Sequence, residues 1–195
     1  MAKTWHDAAG RAARARRILV LGSSGAGKSV LSRELSRLLG LDTIHLDAHF
    51  WQSGFKPSDQ AEWRIRVKDL VAGDAWVMDG TYESTLDVRL AAAELVIYVE
   101  ESRARCLLRA AKRMTWLRRP QADFPLGHRF DPGLFRYIWQ FSDATHPRVF
   151  DIIRRQRREA DVVTLSGRRQ SDAFLRALDS VRESAELSHK EATIS

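Results

Sequence analysis

Gly22-Ser23-Ser24-Gly25-Ala26-Gly27-Lys28-Ser29 follows the apolar run Ile18-Leu19-Val20-Leu21 and leads into a stretch with Val30, Leu31, Leu35, Leu38 and Leu39 on one helical stripe. The octet fits G-x-x-x-x-G-K-[ST], and a strand before it with a helix after it is the setting in which that pattern cradles phosphate. Its glycines let successive backbone N–H groups converge on an anion. Lys28 adds a mobile positive charge for the outer phosphates, and the Ser29 hydroxyl can ligate Mg²⁺. The start of the following helix contributes unpaired N–H groups and a partial positive charge. The octet therefore predicts a bound nucleoside triphosphate.

Composition bounds the rest. The chain has 195 residues, 44% hydrophobic and 29% charged, which suits one globular domain with a full core. No apolar run approaches the roughly 20 residues of a membrane span. The N-terminus mixes alanines with Arg11, Arg14, Arg16 and Arg17 but has no apolar core ahead of a cleavage site, so it does not read as a secretory signal. Residues 1–16 read instead as a mobile basic extension. The single Cys106 excludes an internal disulfide, fits a reducing cytoplasm, and sits among alanines and leucines as a small core residue. The net charge of +7 comes from 32 basic and 25 acidic side chains and favours anionic partners. It is concentrated in 103–119, which carries seven basic residues and no acid, and in 154–158.

Strands are expected at 17–21, 42–46, 76–78, 95–99 and 161–165, and helices at about 28–39, 61–72, 89–93, 103–115, 133–141, 148–158 and after Arg169. Gly40 is placed as a helix C-cap, and Pro57-Ser58-Asp59 as a helix start. Prolines and glycines punctuate 116–147, and the polar tail from about Arg182 is expected to fray. Alternating strands and helices imply an α/β fold with a central parallel five-stranded sheet covered on both faces, a three-layer nucleoside-triphosphatase architecture. Ligands of such sheets lie beyond the carboxyl ends of the strands. Asp47, Asp79-Gly80, Glu100 and Ser166-Gly167 all fall there, around the octet.

Each of these positions carries two readings. Asp79 ends a strand and can hold Mg²⁺ opposite Ser29, directly or through water, or it is a turn aspartate. Asp47 can orient or deprotonate an acceptor hydroxyl, or cap a helix. His45, Asp47 and His49 alternate and resemble metal ligands only if the segment stays extended. Arg109 and Arg113 share a helix face and can neutralise charge on a transferred phosphoryl group, or form a solvated basic face. Arg89 can clamp an acceptor anion or form a surface ion pair. Phe50, Trp51, Phe55 and Trp63 are either a stacking wall or a satellite core.

Taken together, the octet, Leu46-Asp47 followed by Trp51, Trp76–Tyr82 with its Asp79-Gly80, and Arg109 with Arg113 resemble the adenylate-kinase-like P-loop proteins. Among these, the pattern is similar to the small bacterial group labelled DNA topology modulation proteins. The resemblance spans about 17–180. It implies a kinase-like core over 17–182 with an acceptor-binding insert at about 48–72, a lid at about 114–147 and a frayed tail at 183–195. It implies that Gly22–Ser29 hold ATP and Mg²⁺, that Asp79 supports the Mg²⁺ shell, and that Arg109 and Arg113 reach phosphates from the lid hinge. Ser166 and Gly167 would lie near the adenine, and Asp47, Trp51, Asp79, Tyr82 and Arg89 would face the acceptor. Thr81-Tyr82 stands where nucleoside-monophosphate kinases carry Phe-Pro-Arg, which argues against an AMP-type acceptor. The group's label implies a DNA-related role, and nucleic acid binding through the arginine clusters is the alternative to phosphoryl transfer.

Overall fold

The computed structural model describes residues 2–52, 56–116, 132–156 and 162–194. Helix α1 (Ala2–Arg14) precedes β1 (Arg17–Gly22), which enters the octet and then α2 (Lys28–Leu39). Next come β2 (Thr43–His45), α3 (Leu46–Phe50), a two-residue hairpin of β3 (Trp51–Gln52) and β4 (Lys56–Pro57), and α4 (Gln60–Val71). Strand β5 (Trp76–Asp79), α5 (Leu86–Ala92), β6 (Leu95–Glu100) and α6 (Arg103–Trp116) follow. The chain then forms α7 (Pro132–Gln140), a π-turn over Phe141–Thr145, α8 (His146–Gln156), β7 (Val162–Ser166) and α9 (Gly167–Ile194).

The sheet order is β2-β5-β1-β6-β7, with every neighbouring pair parallel. β1 lies at its centre, and from Ile18 to Leu21 nothing is exposed. Its side chains alternate between two cores, as the period of a strand requires. Ile18 and Val20 join Val77, Ile97 and Val99 under α1, α2 and α9, where Leu31, Leu35, Phe174 and Leu178 close the layer. Leu19 and Leu21 join Met78, Val96 and Tyr98 under α4, α5 and α8, with Trp63, Leu86, Val149 and Ile153. Each such buried side chain contributes about 1.5–3 kcal/mol. The two layers leave the carboxyl ends of the strands as the open edge of the sheet.

Local chemistry sets the boundaries. Gly40 takes a left-handed φ of 64° and its N–H closes onto Ser36 O, ending α2 as the sequence indicated. Asp59 accepts from the N–H groups of Ala61 and Glu62 to start α4. The termini differ from expectation in their secondary structure. Residues 2–14 form α1 rather than an irregular extension: Ala9 and Ala12 are fully buried against the first core, and small side chains there let α1 lie close on α9. At the other end α9 continues past Arg182 to Ile194, with residues 183–188 exposed. The broken pattern of 116–147 resolves in part: 132–156 is a helical rod interrupted by the π-turn, whereas 117–131 lie outside the described residues.

Because α1 covers the core, Ala12→Asp buries a charge and should cost about 3 kcal/mol or more, a drop of roughly 6–12 °C in the thermal midpoint. An unchanged midpoint would return α1 to the status of a loose extension.

Candidate nucleotide and acceptor site

The octet bends away from β1 because Gly22 (φ 139°) tucks beneath β6. A Cβ there would lie 2.3 Å from Val99 O. Gly25 (φ 84°) meets α6 in the same way: a Cβ would come within 2.5 Å of Cys106 O. The loop is thus pressed against two backbones, and only glycine fits. Ala26 N–H closes a turn on Ser23 O at 3.1 Å, and α2 begins directly at Lys28. The result is a concave arc of main chain over the helix start, the geometry that binds anions. Lys28 folds back, its Nζ donating to Ser23 O at 2.9 Å. Burial pushes its ammonium below the usual range, while Asp79 and Asp47 pull the other way. A desolvated cation of this kind gains most from an arriving anion.

Helix α6 braces the loop from the side. Arg109 Nη1 donates to Gly25 O and Ala26 O, both at 3.1 Å, and its Nη2 pairs with Glu101 Oε2 at 2.9 Å. Arg113 Nη2 donates to Ser24 Oγ at 3.3 Å and feels Lys28. Glu101, only 2% exposed, also takes Arg105. Arg109 therefore grips loop carbonyls, while Arg113 stands beside the ammonium. The sequence reading missed Glu101, which stands just ahead of α6 with Arg105 and Arg109, neighbours on one helix face, four and eight residues on.

On the other side, the turn after β5 joins the loop to α3. Thr81 Oγ1 accepts from Gly22 N–H at 3.2 Å and donates to Gly22 O at 2.7 Å. Arg89 is fully buried and donates to the carbonyls of Gly80, Thr81, Tyr82 and Thr85 at 2.6–3.3 Å. This corrects the sequence reading of Arg89: its guanidinium holds the turn rather than an acceptor anion or a surface acid. Burial lowers its pKa to about 9. Tyr82 sits at φ 21°, a strained conformation of about 1–3 kcal/mol that the Arg89 bonds hold in place. From there its hydroxyl donates to Asp47 Oδ1 at 2.6 Å.

Asp47 lies in the first turn of α3, not at a strand end. Its carboxyl reaches solvent, yet the surrounding protein raises its pKa, with the Tyr82 hydroxyl and Lys28 opposing. His45 turns to Asp79, with Nδ1 3.0 Å from Oδ2. The other aromatic expectations divide. Phe50 and Trp63 are buried and stack on Tyr82 as a small core, Trp51 is half-buried beside Phe50, and Phe55 lies outside the described residues.

A cavity of about 580 Å³ opens beyond β6 and β7, lined by Ser23, Glu101, Arg105, Cys106, Ser166 and Gly167 among others. Its size suits a nucleoside. Ser166 Oγ donates to Glu100 Oε2 at 2.7 Å on its rim. Among the described residues no three His, Cys, Asp or Glu side chains gather as a metal cage. Mg²⁺ commonly takes only one or two protein ligands, with nucleotide phosphates and water supplying the rest, so such a cage is not required for it.

No protein-family model and no curated protein matches the chain. Solved structures do. Shikimate kinase from Acinetobacter baumannii in complex with shikimate aligns at a TM-score of 0.55 and 14% identity, over 94% of this chain and 98% of that one. Shikimate kinase from Bacteroides thetaiotaomicron gives 0.54 and 15%, over 87% and 99%. A gluconokinase from Sinorhizobium meliloti 1021 gives 0.51 and 15%, over 89% and 97%. The chain shares with these proteins its fold, a three-layer α/β P-loop architecture around a parallel five-stranded sheet.

The raised Asp47 pKa has a testable sign. The folded protein favours the neutral carboxyl, so that contribution to stability is present at low pH and lost as pH rises past the unfolded value of about 4. Asp47→Asn should melt higher than the parent at about pH 8, with the gap closing toward about pH 4. Parallel thermal midpoints across that range would contradict a raised Asp47 pKa.

Proposed function

We propose that this protein is an ATP-dependent phosphotransferase of the adenylate-kinase-like type, moving the γ-phosphoryl group to a small hydroxyl- or phosphate-bearing acceptor such as a nucleoside, nucleotide or other metabolite. The observation that carries the reading is Lys28 folded back on the glycine-rich loop, its Nζ donating to Ser23 O at 2.9 Å, with Asp79 and Asp47 acting on its charge. A carboxylate within the field of that ammonium is placed to meet an acceptor hydroxyl beside the outer phosphates.

In this reading the amides of Gly22–Ser29 and the Lys28 ammonium hold the triphosphate, and the base enters the cavity at Ser166 and Gly167. Arg113, next to Lys28 and Ser24, offsets charge spreading over the transferred group. Arg109 keeps the loop in shape through its carbonyls. Asp47, oriented by the Tyr82 hydroxyl, takes up the acceptor proton, and Trp51 forms a wall of the acceptor space. Ser29 and Asp79 are the residues that would hold Mg²⁺, which when bound neutralises phosphate charge and orients the β and γ groups. The elements α3 to α4 serve as the acceptor insert, and the segment 114–147 serves as the cover that keeps water from the phosphoryl group.

The Leu46-Asp47, Trp51 and Asp79-Gly80-Thr81-Tyr82 pattern supports kinship with the DNA topology modulation group. A nucleic-acid-binding regulator is the weaker reading, because several arginines of the two clusters already pair with acids of the protein. Arg103 pairs with Asp143, Arg105 and Arg109 with Glu101, and Arg154 of the second cluster with Asp151. No helix among the described residues is long and apolar enough to cross a membrane, and the proposed place of action is the cytoplasm.

Labelled ATP screened against a metabolite library should give transfer to one acceptor class, with slow hydrolysis in its absence. Lys28→Ala should lower the transfer rate by about 10²–10³-fold. Salt-sensitive DNA binding with no transfer to any acceptor would favour the regulator instead.

A further inference from the structure

His45 is the last residue of β2 and Asp79 the last of β5, and the register of these parallel strands sets them side by side. The imidazole Nδ1 lies 3.0 Å from Asp79 Oδ2, and the two side chains are only 9% and 6% exposed. A carboxylate oxygen accepts, so Nδ1 carries the proton and donates. The bond fixes the torsion of the Asp79 carboxyl group, leaving Oδ1 as the oxygen not engaged by His45. Asp79 in turn lies within the field of Lys28 at the phosphate loop.

We infer that His45 is a positioning residue for magnesium: it holds Asp79 Oδ2 so that the other carboxylate oxygen is presented to the ion carried by the nucleotide. The inference rests on the reading of Asp79 as the Mg²⁺-supporting carboxylate. The physical need is clear. Mg²⁺ tolerates little departure from octahedral geometry, and a carboxylate that swings freely loses orientation each time the ion arrives. Partners that fix a ligating group typically matter by about 10–100-fold in metal affinity. Strand pairing alone cannot do this, because it sets the backbone of Asp79 and not its terminal torsion. His45 also explains why His45, Asp47 and His49 do not form a ligand set of their own: β2 stops at His45, and the chain turns into α3.

The test separates positioning from a merely architectural staple between β2 and β5. In His45→Asn the amide nitrogen falls near the place of Nδ1 and can still donate to Asp79. In His45→Gln the longer side chain carries its amide past that place. Both replacements are polar and of similar size, and thermal midpoints verify that both fold. Nucleotide affinity is measured by calorimetry with a non-hydrolysable ATP analogue, once with Mg²⁺ and once with a chelator. Mn²⁺ bound beside the same analogue is followed by electron paramagnetic resonance. His45→Asn should keep the Mg²⁺-dependent gain in affinity and the Mn²⁺ signal. His45→Gln should lose about 10-fold or more of the gain and broaden or weaken that signal, while its chelator-condition affinity stays within about twofold of the parent. An unchanged gain in His45→Gln, or equal losses with and without metal, would overturn the inference while leaving the nucleotide reading intact. If the unaltered protein bound no nucleotide in either condition, the nucleotide reading and this inference would fall together.

Discussion

One buried guanidinium holds the two halves of the site together. Arg89 spends its N–H groups on the carbonyls of a turn that no regular hydrogen-bond pattern would otherwise support. Through Thr81 that turn grips both polar groups of Gly22, the entry to the phosphate loop. Through Tyr82 it reaches Asp47 on α3. The spacing between loop and carboxylate is thus set by a single element rather than by two independent ones. Holding Tyr82 in a strained conformation costs about 1–3 kcal/mol, which a buried charge with four acceptors can offset, because hydrogen bonds to charged groups contribute about 1.5–3 kcal/mol each.

A second brace acts from the opposite flank. α6 presses its backbone at Cys106 against Gly25 and sends Arg109 to the loop carbonyls, with Glu101 as counter-ion. The carbonyls of Ser23, Gly25 and Ala26 are thus taken by the cationic side chains of Lys28 and Arg109. Of the basic residues on α6, Arg109 and Arg113 are directed to the loop, and Arg109 shares the buried Glu101 carboxylate with Arg105, whose own side chain stays exposed.

The layered fold was legible in the sequence because it rests on local signals. The octet, the apolar runs at 18–21, 76–78 and 95–99, and caps such as Gly40 and Asp59 each act within a few residues. What was misread depends on distant partners. Arg89 looks like any helix arginine until the carbonyls of 80–82 fold over it. The alanines of α1 look like a polar leader because their apolar partner, α9, lies some 160 residues away in the chain. Glu101 precedes Arg105 and Arg109 by four and eight residues, but it lies outside the helix that carries them, and its pairing with both depends on how the chain enters α6. Asp47 was expected just past a strand end and instead lies on a helix: β2 stops at His45, one residue early, and the chain turns into α3.

The central claim is that the main-chain arc from Gly22 to Ser29 grips the outer phosphates and hands the terminal one toward Asp47. A crystal structure with a non-hydrolysable ATP analogue and Mg²⁺ measures this directly. The account predicts β- and γ-phosphate oxygens within about 3 Å of the loop amides and of Lys28 Nζ, as hydrogen-bond geometry demands, with the γ-phosphate facing the Asp47 side and the base in the cavity at Ser166 and Gly167. A nucleotide bound elsewhere, or with its phosphates turned away from the arc, would contradict it.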